Sequence, residues 1–247
     1  MRIGIAQIRI DRYIKKNLEN LICHMDKCVK SNIDILCFPE CCITSYVQVL
    51  DKGLPSLQDA FKMNWAIDSL HKSVMDKKIN VIVGTIHIEH DKIYNAAIVL
   101  LTNGKRLMYC KNNLTSKEKK YFTPGMKTLV FELNDIKCGI LICRDQNYPL
   151  LARRYRDAGV HVIFIPAAHY YPPGEAKLKV DKNRALPIAR ALENKVYVFK
   201  ANAVGEQNNY VSLGGSIIIN PNGYVISEAD DSNEVILSND LSKESFN

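Results

Sequence analysis

Apolar positions along the chain follow two periods. RIGIAQI (2–8) opens with Ile3, Ile5 and Ile8, and its run of apolar residues predicts a strand. Leu18, Leu21, Ile22, Met25 and Val29 then recur at helical spacing, predicting an amphipathic helix of about four turns. IDILCFP (33–39) is a short β-prone run that stops at Pro39-Glu40, and a looser stretch holding Pro55 leads to a second helix over Asp59–Lys77. INVIVGTIHIE (79–89), KIYNAAIVLL (92–101) and RLMYCK (106–111) read as strands, with turns at His90-Asp91 and Asn103-Gly104. TLVFEL (128–133) and KCGILIC (137–143) are the next pair, joined at Asn134-Asp135. LLARRYRDAG (150–159) predicts a helix closed by Gly159, and VHVIFIPA (160–167) a buried strand. A polar, proline-containing loop from His169 to Lys179 precedes the helix DKNRALPIARALEN (181–194). YVFKANAV (197–204), SIIINP (216–221), YVISEAD (224–230) and EVILSND (234–240) complete the set, with a turn at Asn222-Gly223.

Some of these strands are joined by hairpins and others by helices, so the sheets should be mixed rather than purely parallel. There are more strands than one open sheet usually carries. An α/β fold with two mixed sheets packed face to face and helices outside accommodates them.

Composition narrows the picture without redirecting it. The 247 residues are 47% hydrophobic, enough for a substantial core, and no linker, repeat or low-complexity run divides them, so a single domain over 1–247 is expected. The charge of +7 is mild. The basic clusters at Lys117–Lys120 and Arg153–Arg156 are not interleaved with aromatics, so they read as solvated helix faces and not as a nucleic-acid surface. No stretch approaches the roughly 18 apolar residues of a spanning helix, and the N-terminus lacks a signal-like apolar region, so a cytoplasmic protein without membrane contact is expected. Its eight cysteines then read as thiols. They form no CxxC pair and have no histidine at ligand spacing, which argues against a metal site, and nothing suggests a cofactor.

Three residues share a local grammar. Glu40, Lys111 and Cys143 each follow an apolar β run (ILCFP, RLMYC, GILI), and layered α/β folds gather their active sites at strand ends. A thiol at a strand end shortly before a helix, whose first turn Pro149 suits, is in a setting that lowers its pKa. Together a carboxylate, an amine and a thiol form a complete acyl-transfer apparatus. The thiolate attacks a carbonyl carbon, the carboxylate carries protons and the ammonium stabilises the oxyanion. The six histidines (24, 71, 87, 90, 161, 169) fall in no motif, which makes a Cys-His dyad the weaker assignment. Tyr46, and His169, Tyr170 and Tyr171 after the strand ending IPAA, are candidates for lining a substrate pocket. The Arg144 side chain could pair with a substrate carboxylate or form a surface ion pair.

At these residues the chain resembles the nitrilase superfamily of carbon–nitrogen hydrolases. FPECCITSY (38–46) resembles the block around that family's catalytic glutamate, KNNLTSKEKKYFTPG (111–125) the block opening with its lysine, and CGILICRDQNYPLLAR (138–153) the nucleophile block. RALENKVYVFKANAVG (190–205) and GGSIIINPNG (214–223) resemble its two later segments. The five blocks fall in family order and reach nearly from end to end. The resemblance implies a four-layer αββα sandwich and a Glu40–Lys111–Cys143 triad. It also implies that Glu118 braces the lysine and that the backbone N–H of Arg144 helps hold the oxyanion. Departures fall at Asn113, where many relatives carry histidine and which is itself a candidate substrate contact, and at Asn147 and Leu150; they border the pocket or the next helix.

The resemblance implies hydrolysis of a non-peptide C–N bond of a small linear amide through a Cys thioester, releasing ammonia and a carboxylate. Cleavage of an N-carbamoyl group of an amine or amino acid is the nearest rival, nitrile hydrolysis a weaker one, and a silent scaffold the alternative from another class. Asp145, two after the cysteine, fits the amidase and carbamoylase branches better than the nitrilases. A homodimer or larger assembly is also expected, because family members pair through helices near the nucleophile and Leu150, Leu151 and Tyr155 stand at helical spacing.

Overall fold

The structure, a computed structural model, describes residues 1–46 and 57–246. The Pro55 stretch lies outside the described residues. In chain order the main elements are β1 (Arg2–Gln7), α1 (Ile14–Lys30), β2 (Ile35–Cys37), α2 (Leu57–Lys77), β3 (Asn80–Glu89), β4 (Lys92–Leu100), β5 (Arg106–Cys110), β6 (Val130–Leu133) and β7 (Ile136–Ile140). There follow α3 (Pro149–Asp157), β8 (Val162–Ala167), β9 (Tyr170–Tyr171), α4 (Val180–Asn194), β10 (Tyr197–Asn202), β11 (Val204–Gln207), β12 (Tyr210–Leu213), β13 (Ile217–Ile219), β14 (Val225–Glu228) and β15 (Val235–Asp240). No helix among the described residues is long and apolar enough to cross a membrane.

Two six-stranded mixed sheets form, in the orders β15-β1-β2-β3-β4-β5 and β14-β13-β10-β8-β7-β6. In the first, β1, β2 and β3 run parallel; in the second, β7, β8 and β10 do. The remaining pairs are antiparallel, mostly closed by the turns read from sequence. Strand alternation then sorts the side chains. Ile3, Ile5 and Val99 of the first sheet meet Cys138, Phe164 and Phe199 of the second in a dry central layer. The opposite face of the first sheet packs Leu36, Val81 and Val83 against Leu21 and Met25 of α1 and Leu70 and Val74 of α2. The opposite face of the second packs Ile163, Ile165 and Val198 against Leu151 and Tyr155 of α3 and Ala191 of α4. Three apolar layers between four structural ones make the expected αββα sandwich.

The structure corrects several boundaries. YVFKANAV is not one strand: β10 ends at Asn202, Ala203 bridges to Ile8, and β11 joins a third small sheet, β11-β12-β9, which the short polar sequences there did not announce. β7 stops at Ile140, three residues before Cys143, so GILI is not strand to its end. The nucleophile candidate sits in a 3-10 turn, Cys143–Asn147, and the α-helix starts only at Pro149, so a helix N-terminus does not face the thiol. The apolar stripe invoked for dimer formation is also mostly spent inside the chain. Leu151 and Tyr155 are buried, and only Leu150, at 73% exposure, faces outward.

Tyr155 shows how tightly α3 is fixed to the second sheet. Its hydroxyl donates to the Ile140 carbonyl at 2.6 Å and accepts from the Leu129 N–H at 3.3 Å. Tyr155→Phe removes one donor from a buried carbonyl and one acceptor from an amide, at little change in volume. The expected cost is about 1–3 kcal/mol of unfolding free energy, read from urea denaturation with an unchanged m-value.

Candidate active site

The two parallel triplets end on the same side of the sandwich, and the chemistry-bearing residues come from the loops just beyond. Glu40 follows β2, Lys111 directly follows β5, Cys143 follows β7 and His169 follows β8. The Glu40 N–H bonds the Ala167 carbonyl at 3.3 Å, which ties the first sheet's loop to the end of β8 in the second.

Glu40, Lys111 and Glu118 are buried together. The Lys111 Nζ donates to Glu40 Oε1 and to Glu118 Oε1, each at 2.7 Å. The Asn95 Nδ2 donates to the same two oxygens, at 2.7 and 3.2 Å. The amide is oriented by the Cys41 thiol, which meets its Oδ1 at 3.6 Å. The second oxygens go elsewhere: Glu40 Oε2 accepts from the Ala168 N–H at 3.0 Å, and Glu118 Oε2 from the Thr115 N–H at 2.7 Å. Two carboxylates thus share one ammonium.

That sharing separates their basicities. Burial pushes the Glu40 carboxyl up; Lys111 opposes this and the Glu118 charge adds to it, and the net is upward. Burial also acts to raise Glu118, but Lys111 and the Thr115 donors outweigh it and hold Glu118 below the usual carboxylate range. For Lys111, burial acts downward and the two carboxylates prevail, so it stays a cation. Glu118 keeps its charge, and Glu40 is the better proton acceptor.

Backbone geometry brings these groups together at real cost. Gly84 of β3 lies beneath the Glu40 loop, where an added Cβ would stand 2.4 Å from the Pro39 oxygen and the Cys41 nitrogen. Gly125, whose N–H bonds the Lys111 carbonyl at 2.8 Å, passes equally close under β5, 2.1 Å from the Cys110 oxygen to such a Cβ. Cys41 and Cys143 both adopt left-handed backbone, with φ of 48° and 45°. Non-glycine residues held there are strained, and such strain concentrates at functional sites.

The Cys143 turn is pinned by Asp145, which is fully buried. Its carboxylate accepts from the Tyr109 hydroxyl at 2.7 Å, the Ile142 N–H at 3.1 Å, and the Asn113 N–H and side-chain amide at 2.8 and 2.9 Å. Asn113 is therefore turned onto Asp145 and does not line the cleft, contrary to its reading as a substrate contact. Tyr46, Lys111, Cys143, Arg144, His169 and Tyr170 do line one cleft of about 560 Å³. The Tyr46 ring lies 5.8 Å from the Lys111 ammonium. The thiol is not activated at rest. Burial and the Glu40 charge push it up, against Lys111 and the Ala168 N–H. All eight cysteines are unpaired.

Asn95, Thr115, Asp145 and Gln146 went unremarked as site residues in the sequence. Asn95 did leave a trace there, a lone amide inside the apolar strand KIYNAAIVLL. Asp145 was noted only as a mark of the amidase and carbamoylase branches, and nothing local marked Thr115 or Gln146.

Comparison with known proteins agrees with this architecture. The family described as carbon–nitrogen hydrolase matches residues 2–246. A nitrilase from Pyrococcus abyssi is 36% identical over 162 residues, covering 65% of this chain and 58% of that protein. An (R)-stereoselective amidase from a Pseudomonas species is 27% identical over 198 residues, 79% of this chain and 69% of its own length. Among solved structures, a glutamate-to-glutamine variant of the amidase from Nesterenkonia sp. AN1 superposes with a TM-score of 0.86 at 22% identity, covering 100% of this chain and 92% of that one. In that protein the acetamide moiety of fluoroacetamide is covalently added at the active-site cysteine.

Gly84→Ala tests the packing under Glu40. The new methyl must displace backbone, and expected losses are about 1–3 kcal/mol of stability together with a shift of Glu40 off Lys111 visible in a crystal structure. A variant with wild-type unfolding and an unmoved Glu40 would contradict the close-packing account.

Proposed function

Because this chain belongs to the carbon–nitrogen hydrolase family, we propose that it hydrolyses a small linear amide through a thioester on Cys143, releasing ammonia and a carboxylate. The observation that carries the reading is the buried Glu40–Lys111–Glu118 cluster, whose Lys111 lines the same cleft as Cys143. Glu40, the carboxylate of raised pKa, takes the thiol proton as sulfur attacks the carbonyl carbon. The developing oxyanion is held by Lys111 and the Arg144 N–H. Glu40 then protonates the departing ammonia and deprotonates the water that opens the thioester. Glu118 holds Lys111 in place and stays charged throughout.

The cleft wall suggests the character of the substrate's other end. Lys117, Arg144, Lys179 and Lys182 line it, against Glu175 as the one acid among the described lining residues. Arg144 has no carboxylate partner among the described residues; its Nη2 meets only the Tyr148 hydroxyl, at 3.5 Å, and its buried Nε has no partner. The surface ion pair weighed for Arg144 is absent from the described structure, and the substrate-carboxylate alternative fits the cationic wall. An ω-amide acid satisfies this layout. An N-carbamoyl amino acid would also do so, and is the second reading.

Three measurements test these statements. Glu40→Gln should stay folded and lose about 10²–10⁴-fold in kcat, as removal of a proton carrier does. Since Glu40 works as a base when deprotonated and burial raises it, the acid limb of kcat/KM should lie above the ordinary carboxylate value of about 4.3. Ammonia release from a panel of matched substrates should favour a dicarboxylic acid monoamide over its methyl ester, and Arg144→Met should erase that preference by raising KM for the acid alone. A panel in which only N-carbamoyl amino acids release ammonia would select the second reading.

A further inference from the structure

His169 stands beside the candidate nucleophile, and neither the buried cluster nor the proton transfers above employ it. Its Nδ1 lies 3.8 Å from the Cys143 Sγ, within reach of a hydrogen bond to sulfur. The ring is held on three other sides. Its backbone N–H bonds the Asn202 Oδ1 at 3.0 Å, the Tyr171 ring stacks on it at 6.2 Å, and the Gln146 amide nitrogen faces its Nε2 at 3.4 Å.

These partners, as they stand, favour one site for the imidazole proton. With its amide nitrogen toward the ring, as it stands here, Gln146 donates and Nε2 receives that bond as a lone pair; the Gln146 Oε1 on the other side is buried without a partner among the described residues. The Tyr171 hydroxyl lies 3.3 Å from the Asn183 Oδ1, which can only accept and so offers its single hydrogen a partner away from the histidine. With the hydrogen so directed, the Tyr171 oxygen, 3.2 Å from Nδ1, faces the histidine as an acceptor. In this arrangement both contacts favour the hydrogen on Nδ1, directed between the Tyr171 oxygen and the Cys143 sulfur.

The ring's charge is set by its surroundings as well. Burial, and then the cations of Lys200, Lys111 and Lys182, hold it well below the usual imidazole range. Lys200 is itself fully buried, brought down to about 8 by that burial, and its ammonium is anchored on the Asn183 carbonyl at 2.8 Å. An uncharged imidazole with Nδ1–H is a donor that neither takes the thiol proton nor releases its own.

We infer that His169 is a further catalytic residue, which donates its Nδ1–H to the Cys143 sulfur as the thiol proton passes to Glu40, stabilising the thiolate while remaining neutral itself. The inference rests on the proposed role of Cys143 as nucleophile. It answers a need of the site: Lys111 is shared between two carboxylates, so little of its charge is left to stabilise a thiolate. A donor to a charged acceptor can supply about tenfold in thiolate fraction, equivalent to about one pH unit.

The test is the pH dependence of iodoacetamide alkylation at Cys143 in the full chain, followed by peptide mapping. His169→Phe keeps the ring volume and removes the donor. His169→Asn carries an amide nitrogen that can stand where Nδ1 stands. The expected result is a midpoint about one unit higher in the Phe variant with the same plateau at high pH, and a midpoint restored in the Asn variant. A structural role alone would alter folding or the plateau and leave the midpoint in place, so an unmoved midpoint in the Phe variant overturns the inference. Should that variant not fold, ¹⁵N-histidine NMR of the unaltered protein decides. A neutral Nδ1–H form between pH 5 and 9 supports the inference, whereas an Nε2–H form, or protonation near pH 6.5, overturns it. Amide turnover persisting after complete alkylation of Cys143 would instead sink the nucleophile assignment.

Discussion

One ammonium between two carboxylates, sealed from water, is the interaction on which the rest of this molecule depends. Charges in a dry interior carry a desolvation penalty of several kcal/mol each, repaid only when geometry and extra hydrogen bonds are complete. Completeness here requires the whole sandwich. Glu40 comes from the loop after β2, Asn95 from the middle of β4, Lys111 from the end of β5, and the Ala168 N–H from the other sheet. Removing one partner leaves the others charged and buried, which in comparable sites costs about 3–5 kcal/mol. The cluster is therefore a structural commitment as well as a chemical one.

Much of the nearby backbone follows from that commitment. The first sheet must let the Glu40 loop lie directly on β3, which requires Gly84. Lys111 must leave β5 while the returning chain crosses it at Gly125. The turn carrying Cys143 must lift its thiol into the cleft at a left-handed φ, and Asp145 ties it down with four hydrogen bonds. Each feature gives up local stability to fix a position within a fraction of an ångström.

Sequence made a large part of this visible. The two periods of apolar residues located the helices and most strands, because each face packs against a layer that demands that period. Glu40 and Lys111 were legible because a charged residue at the end of an apolar run needs a buried partner or water, whereas Glu118, inside the polar KEKK run, was legible only through the family resemblance. What was not legible depends on contacts between distant segments. Asn113 reads as a pocket residue until Asp145, 32 positions later, claims it. Tyr155 reads as a surface aromatic until β7 presents the Ile140 carbonyl. Cys143 reads as sitting beside a helix N-terminus until the intervening 3-10 turn separates them. The third sheet was missed because Tyr170–Tyr171 and Tyr210–Leu213 are too short to carry a period.

The electrostatic layout of the cleft runs in one direction. At its floor two carboxylates share one ammonium, which leaves an excess negative charge, and burial, with the Glu118 charge adding to it, raises Glu40. At its wall stand cations without carboxylate partners among the described residues. Under the proposed reading, a substrate with a neutral amide at one end and a carboxylate at the other would enter amide first. The reverse orientation would set like charges together in a site of low dielectric. The same polarity acts after bond cleavage, when the new carboxylate forms close to Glu40 and Glu118. Repulsion from the floor and attraction to the wall then both favour outward movement of the product. On that reading, the buried cluster that raises Glu40 for the start of the reaction is also suited to ending it.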